Sequence, residues 1–374
     1  MRFLHTADWH LGRSFHGESL LAAQSVGIDH AVEVARNAAV DAVLIAGDLY
    51  DRALPSVDAV RLADEALCRL SELCPVVVIS GNHDSAARLG FGAALLDRAG
   101  VHVRTAVSGC GSPVMVGDTA VYALPYFEPD LVRAELGCEE RGHAAALTAA
   151  MARVRADLAP RPAGTRSIVV AHAFVAGAFA SESERDLAVG GTASVPAAVF
   201  AGVDYAALGH LHGPQRTGAN GRYAGSPLAF SFSEARQRKS VALVDLDGEV
   251  ELVPCPVARP LASLRGTLEE LLADPAHAGA EAAWVQATLT DVVRPQDAMD
   301  RLRRRFAHTV ALAFEPQGAV PTAAGSYAVR LRGLEDAELV ARFVRDVRGA
   351  EADDTEGALL EEALTAGRIG ELAG

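Results

Sequence analysis

The run VVVIS at residues 76–80 is apolar and β-branched, and it stops at Gly81 to deliver Asn82, His83 and Asp84 in succession. The same pattern, a short apolar run followed at once by carboxylates or imidazoles, recurs four more times. Asp8 and His10 follow RFLHT, Asp48 and Asp51 follow AVLIAG, His172 follows SIVVA, and His210 with His212 follows YAALG. No single cluster is informative, because a histidine on an apolar strand is most often a hydrogen-bonded core residue and Gly-Asp after a strand is often a turn. Five separated clusters at five strand ends carry more weight, since open α/β sheets gather their ligands at the C-terminal ends of their strands.

Imidazole mixed with carboxylate oxygen suits manganese, iron or zinc better than calcium or magnesium. In Asp8-x-His10 and His210-x-His212 the two-residue spacing places both side chains on one side of an extended chain, so that each pair could grip one ion. Asp48 is central enough to bridge two ions. The neutral amide of Asn82 limits the negative charge, so the ions keep Lewis acidity. Asp84 and Ser85 are expected to cap the helix that follows. His5, His16, His30, His102, His143, His277 and His308 lie outside the pattern and are read as ordinary histidines.

Alternating helix and strand patterns must position these residues. Arg2 to Thr6 reads as a strand. Ile28, Ala31, Val32, Ala35, Ala38 and Ala39 recur at helical spacing before the buried strand DAVLIAGD. Val60, Ala63, Leu67 and Leu70 mark a second helix before CPVVVIS, and a third is expected around Leu89 to Leu96, ahead of VHV and TAVYALPY. Residues 129 to about 158 read as helical, and SIVVAHA and DYAALGHLH as strands. From about 221 the pattern turns to hairpins, GRYAGSPLAFSF and SVALVDLDGEVELVPCPV, with Asp247-Gly248 as a two-residue turn. The cluster CPVARP marks a boundary. Beyond it lies a small α/β unit of about 60 residues, then the loop QGAVPTAAGS, then an apolar stripe of Leu334, Leu339, Val340, Phe343, Val344 and Val347 and a short helix at 357–366.

Composition sets bounds on function. The chain has 374 residues, 50% of them hydrophobic and 22% charged, which argues for a folded globular protein and against disorder. Its start, MRFLHTADWH, has no signal-peptide core, and no apolar run reaches the roughly 18 residues of a membrane span, so a cytoplasmic, nucleoid-associated protein is expected. Cys68, Cys74, Cys110, Cys138 and Cys255 are scattered and odd in number, giving neither a disulfide framework nor a zinc cage. A net charge of -14, with Lys239 the only lysine, argues against a nonspecific nucleic-acid binder. Bound cations reverse that sign locally.

The ordered set Asp8-x-His10, Gly47-Asp48-x-x-Asp51, Gly81-Asn82-His83-Asp84, Ala171-His172 and Gly209-His210-x-His212 resembles the calcineurin-like metallophosphoesterase superfamily. More narrowly, LHTADWHLG, AGDLYD, GNHDS, ALGHLH followed by YAGSP, and FSE resemble the SbcD family of nuclease subunits, over residues 4 to 234. The resemblance implies a four-layer α-β-β-α sandwich with a small α/β capping domain and a C-terminal helical segment. Its boundaries fall at 1–257 for the nuclease domain, 258–325 for the cap and 326–374 for the tail, which would dock on an SbcC-type coiled-coil ATPase. It implies two manganese ions, one held by Asp8, His10, Asp48 and His212, the other by Asp48, Asn82, His172 and His210. His83 would act on the leaving oxygen and Asp51 would orient it, by similarity to the GDxxDR run of phosphoprotein phosphatases, with Arg52 as a phosphate contact. It also implies a homodimer within a heterotetramer, through helices near 57–73 and 86–98.

The expected activity is cleavage of DNA, exonucleolytic on double strands and endonucleolytic on single strands and hairpins, in end processing, repair and recombination. A phosphatase or small-molecule phosphodiesterase would use the same metals. A noncatalytic DNA-end scaffold would keep them for its fold. The loop SESERDLAVGG, polar and close to the site, reads either as a substrate contact or as a connector.

Overall fold

The structure, a computed structural model, describes residues 1–184, 194–317, 334 and 336–372. In chain order it begins β1 (Arg2–Thr6), the ribbon β2 (Ser14–Phe15) and β3 (Glu18–Ser19), α1 (Leu21–Asn37), β4 (Ala42–Ala46), α2 (Val57–Ser71) and β5 (Val76–Ile79). It continues α3 (Ala86–Leu89), α4 (Ala93–Leu96), β6 (Val101–Arg104), β7 (Val114–Val116), β8 (Thr119–Leu124), α5 (Pro129–Leu136), α6 (His143–Leu158), β9 (Arg166–His172) and β10 (Tyr205–Gly209). Then come β11 (Gln215–Thr217), β12 (Gly221–Tyr223), β13 (Ser240–Asp245) and β14 (Val250–Pro254).

Two six-stranded sheets result, ordered β14-β13-β1-β4-β5-β6 and β11-β12-β10-β9-β8-β7. Their central strands pair in parallel and are buried on both faces, which is why β4 (AVLIA) and β5 (VVVI) read as unbroken apolar runs. Alternate residues serve different layers. Val43, Ile45, Val76 and Val78 pack with Ile28, Val32, Ala63 and Leu70 of α1 and α2. Leu44, Ala46, Val77 and Ile79 pack instead with Val121, Ile168, Val170 and Ala207 of the second sheet. On that sheet's outer side Tyr122, Leu124, Val169 and Leu208 meet Leu147, Met151 and Val154 of α6. The layers are therefore α-β-β-α, as expected, and each fully buried aliphatic side chain contributes about 1.5–3 kcal/mol.

Several local expectations are corrected. The helix expected around Leu89 to Leu96 is two single turns, α3 and α4, separated where Gly92 takes φ 74°. The helical stretch 129–158 breaks at Gly137, φ 68°, which ends α5. GRYAGSPLAFSF contributes only β12, which pairs in parallel with β10, and the rest is irregular apart from a turn at Phe232–Glu234. The β13–β14 turn is closed by Asp245 N–H donating to the Glu249 carbonyl, so residues 246–248 form the loop in place of a two-residue Asp247-Gly248 turn. That hairpin adds to β1, making the N-terminal strand internal.

The described chain divides into two compact units, Met1–Ser263 with Ala282–Val285, and Leu264–Glu281 with Gln286–Gly374. Through the second unit runs a three-stranded sheet, β15 (Leu261–Gly266), β16 (Trp284–Leu289) and β17 (Thr309–Phe314), with α7 (Leu268–Ala273) and α8 (Ala298–Arg305). Thr267 and Glu270 form a reciprocal capping box at the start of α7. Helices follow at Asp336–Arg348 and Asp354–Leu372. Most of the loop QGAVPTAAGS, and the 325/326 boundary expected there, lies outside the described residues. Among the described residues no helix is long and apolar enough to cross a membrane.

Candidate metal centre

The parallel registers align the strand ends that matter. Thr6 pairs with Ile45, Ala46 with Ile79, and Gly209 with His172, so the polar residues that follow each strand emerge at one edge of both sheets. The strand ends approach so closely there, both within one sheet and between the two, that a side chain could not be added. A Cβ at Gly209 would lie 1.9 Å from the Ala46 carbonyl oxygen, and one at Gly81 would lie 2.1 Å from Asp48 Oδ1.

The backbone at the edge is bent away from extended geometry. Asp8 (φ 54°), His10 (φ 46°), Asp48 (φ 50°) and His210 (φ 105°) all take positive φ. Non-glycine residues rarely hold such angles, and those that do concentrate at functional sites. The extended-chain argument for Asp8-x-His10 and His210-x-His212 is therefore corrected, and the two pairs behave differently. Asp8 and His10 stay together with His212. His210 turns to the other side, its Nδ1 3.3 Å from Asn82 Oδ1.

Three groups of donor atoms each lie within 4.8 Å: Asp8, His10 and His212; Asp8, Asp48 and His172; and His10, Asp48 and His83. Asp48 stands between the two sides. Its Oδ2 is 3.6 Å from His10 Nε2 and 3.5 Å from His172 Nε2, while its Oδ1 accepts the His83 main-chain N–H at 2.8 Å. Asn82 Oδ1 lies 2.9 Å from His172 Nε2. All seven residues expected as ligands, Asp8, His10, Asp48, Asn82, His172, His210 and His212, are thus gathered at one edge.

The proton inventory tests whether cations fit. His172 Nδ1–H donates to the Ala46 carbonyl at 3.0 Å, so in the neutral ring Nε2 is a lone pair, and it faces the Asn82 oxygen, another acceptor. His10 Nε2 and His212 Nε2 face each other at 3.1 Å. Burial, reinforced by His212, holds His10 well below the usual imidazole range, and burial brings His172 down to about 4. Buried acceptors have no protein donor either: Asp8 Oδ2 makes no hydrogen bond, and burial, followed by the Asp48 charge, pushes the Asp8 carboxyl well above its ordinary range. Acceptors facing acceptors in a buried pocket are costly. Cations binding imidazole and carboxylate would relieve every one of these contacts, so the residues fit divalent metal.

Around this set the remaining expectations are met unevenly. His83 Nδ1–H donates to residue 51 at 2.8 Å, but to the main-chain oxygen. The Asp51 carboxylate faces His10 Nδ1 at 3.6 Å and Arg13 at 3.5 Å, while the Asp51 main-chain oxygen orients the His83 ring. Arg52 projects outward, its side chain 75% exposed, with Nε 3.6 Å from Asp51 Oδ2. Asp84 is no helix cap. Its carboxylate accepts the N–H groups of Leu49, Tyr50 and Gly81, tying the loop after β4 to the loop after β5, and Ser85 alone caps α3. Burial, then the Asp48 charge, push the Asp84 carboxyl up to about 7.

Several supporting residues escaped the sequence reading. Gln24 donates to the carbonyls of Trp9 and His10, fixing the first loop. Ser183 Oγ accepts from His212 Nδ1–H at 2.6 Å, and Glu184 Oε1 accepts the His212 main-chain N–H at 2.8 Å. The start of SESERDLAVGG therefore packs against His212, one of the expected ligands; residues 185–191 lie outside the described residues. Lys239, whose solitary status was a usable signal, is buried against Glu234 of the FSE motif.

Residues 1–214 match the calcineurin-like phosphoesterase family. Residues 257–348 match the Type 5 capsule protein repressor C-terminal domain. The SbcD subunit of the SbcCD nuclease of Staphylococcus saprophyticus is 28% identical over 375 residues, covering 98% of each chain, which bears out the resemblance to SbcD. The crystal structure of TT1561 of Thermus thermophilus is 15% identical, covers 68% of this chain and 98% of its own, and superposes at a TM-score of 0.41.

Proposed function

The chain belongs to the calcineurin-like phosphoesterase family, and on that premise we propose that it is a metal-dependent DNA nuclease, exonucleolytic on double strands and endonucleolytic on single strands and hairpins. The observation that carries the metal chemistry is the His172 Nε2 lone pair, fixed by Nδ1–H donating to the Ala46 carbonyl, facing Asn82 Oδ1, beside the buried and unpartnered Asp8 Oδ2. DNA as the substrate rests on similarity along almost the whole chain to a nuclease subunit.

Asp8, His10, Asp48 and His212 would hold one ion, and Asp48, Asn82, His172 and His210 the second, with manganese as the metal. Two divalent ions held there supply Lewis acidity to a phosphate and lower the pKa of a bound water. Asp48 serves both sides through Oδ2 while its Oδ1 anchors the His83 main chain. With His83 Nδ1–H committed to the Asp51 carbonyl, Nε2 is the nitrogen that would protonate the leaving oxygen. Arg52, pointing outward beside Asp51, would contact a phosphate of the strand.

Surfaces away from the centre support the partners. Leu54, Val57, Phe91 and Leu95 on and beside α2, α3 and α4 are exposed apolar side chains, suited to a homodimer contact. Phe343 and Val347 of the C-terminal stripe are likewise exposed, which favours docking on an SbcC-type ATPase over packing on the capping domain. The tail at 326–374, which follows the cap at 258–325, would carry that docking.

Parallel assays with manganese on hairpin DNA, p-nitrophenyl phosphate and its bis ester test the reading. Cleavage of DNA that His83→Ala abolishes is the expected result. Hydrolysis of the monoester alone would make the chain a phosphatase, and no cleavage by the metal-loaded protein would make it a scaffold.

A further inference from the structure

Each ligand imidazole at the centre must point a lone pair inward, and a neutral ring does so only if its proton sits on the other nitrogen. For His172 the Ala46 carbonyl enforces this. For His212 the enforcing group is a side chain. His212 Nδ1–H donates to Ser183 Oγ at 2.6 Å, and Ser183 O–H is itself committed to Glu234 Oε1. Because that hydroxyl proton is spent on a carboxylate, Ser183 can only accept from His212, and the ring is held as the Nδ1–H tautomer.

The anchor of this chain of bonds is Glu234, fully buried and bonded by the buried Lys239 ammonium. Lys239 Nζ also lies 2.8 Å from the His212 carbonyl oxygen, 3.1 Å from Ser226 Oγ and 2.9 Å from the Gln237 side-chain oxygen, so that its three protons are shared among four acceptors. Ser183 is fixed from its main chain as well, by Arg13 donating to its carbonyl at 3.0 Å. His212 is thus gripped at its ring by Ser183, at its N–H by Glu184 and at its carbonyl by Lys239.

We infer that Ser183 and Glu234 are positioning residues for His212, locking its imidazole in the tautomer that presents Nε2 to the metal. The inference rests on the two-metal reading. Without the lock the ring would divide between tautomers, and the Nε2–H form would aim a proton at the ion's position. Partners of this kind, hydrogen-bonded to the far nitrogen of a ligand histidine, are typically worth about 10- to 100-fold in metal affinity.

The test uses the full chain, stripped of metal, as wild type, Ser183→Ala, Ser183→Thr and Glu234→Gln. Calorimetric titration with manganese should give two ions for wild type, and one of the two weakened about 10- to 100-fold in Ser183→Ala and Glu234→Gln. Ser183→Thr, which keeps the hydroxyl, should restore it. Imidazole nitrogen NMR of the metal-free chains should show His212 as Nδ1–H in wild type and as a mixture in Ser183→Ala, with unchanged spectra elsewhere showing that the fold survives. Two-ion affinity in Ser183→Ala equal to wild type, with the His212 tautomer unchanged, would overturn the inference. Fewer than two ions in wild type would fail the two-metal reading instead, and the tautomer spectrum would still decide the positioning claim.

Discussion

His83 and Asp48 are joined by one hydrogen bond, main-chain N–H to carboxylate, yet truncating each should have opposite consequences. His83→Ala leaves all seven proposed ligands in place, so metal stoichiometry should survive while DNA cleavage falls at least about a hundredfold, the usual loss for a missing proton donor. Asp48→Ala removes the oxygen that lies near both His10 and His172, so loss of metal, measured by elemental analysis, should come first. His5 gives a different test. Burial brings its imidazole from 6.5 down to about 3, with Nε2–H donating to the Leu208 carbonyl and Nδ1 accepting from Tyr205. The unfolded chain protonates His5 near 6.5 and the folded chain only near 3, so stability is present above 6.5 and is lost as pH falls through that window. Between pH 7.5 and 5.5 this single group should cost about 1.4 kcal/mol, and urea unfolding of metal-free His5→Gln should show a shallower decline than wild type.

At the scale of elements, the site is a product of strand ends that nearly collide. Gly209→Ala would drive a Cβ into the Ala46 carbonyl, which is main chain and cannot rotate away. A loss of at least about 2 kcal/mol in urea unfolding, together with weakened metal binding, is expected, whereas Gly279→Ala, with open space around it, should be neutral. The runs AVLIA, VVVI, SIVVA and YAALG were legible because strands buried on both faces need unbroken apolar sequence, and the polar residues after them were legible for the same reason. Asp84 was not, because the main-chain donors it serves at Leu49 and Tyr50 lie on another loop. The partition of His210 from His212 followed from the family resemblance and not from their two-residue spacing, because it depends on a positive φ that histidine's sequence context does not announce. Ser183 and Glu234 were hidden by distance in sequence, 51 residues apart and joined only by the fold.

For the whole molecule, net acidity is compatible with the proposed DNA cleavage, because the negative charge of the site would bind the cations that in turn bind phosphate. Association is the property proposed at this scale. Phe91 is 87% exposed and lines one groove with Leu54, and Val57 and Leu95 are exposed as well, apolar surface suited to a contact with a second copy. Phe91→Glu should shift sedimentation from dimer to monomer without changing metal content, and a dimer that persists would move the interface elsewhere. The central claim, that strand ends of two sheets assemble a pair of metal sites sharing Asp48, is tested most directly by anomalous scattering from crystals soaked in manganese. Two peaks are predicted, one beside Asp8, His10 and His212 and one beside Asn82, His172 and His210, with Asp48 contacting both and His83 contacting neither. A single peak, or a peak coordinated by His83, would contradict the account.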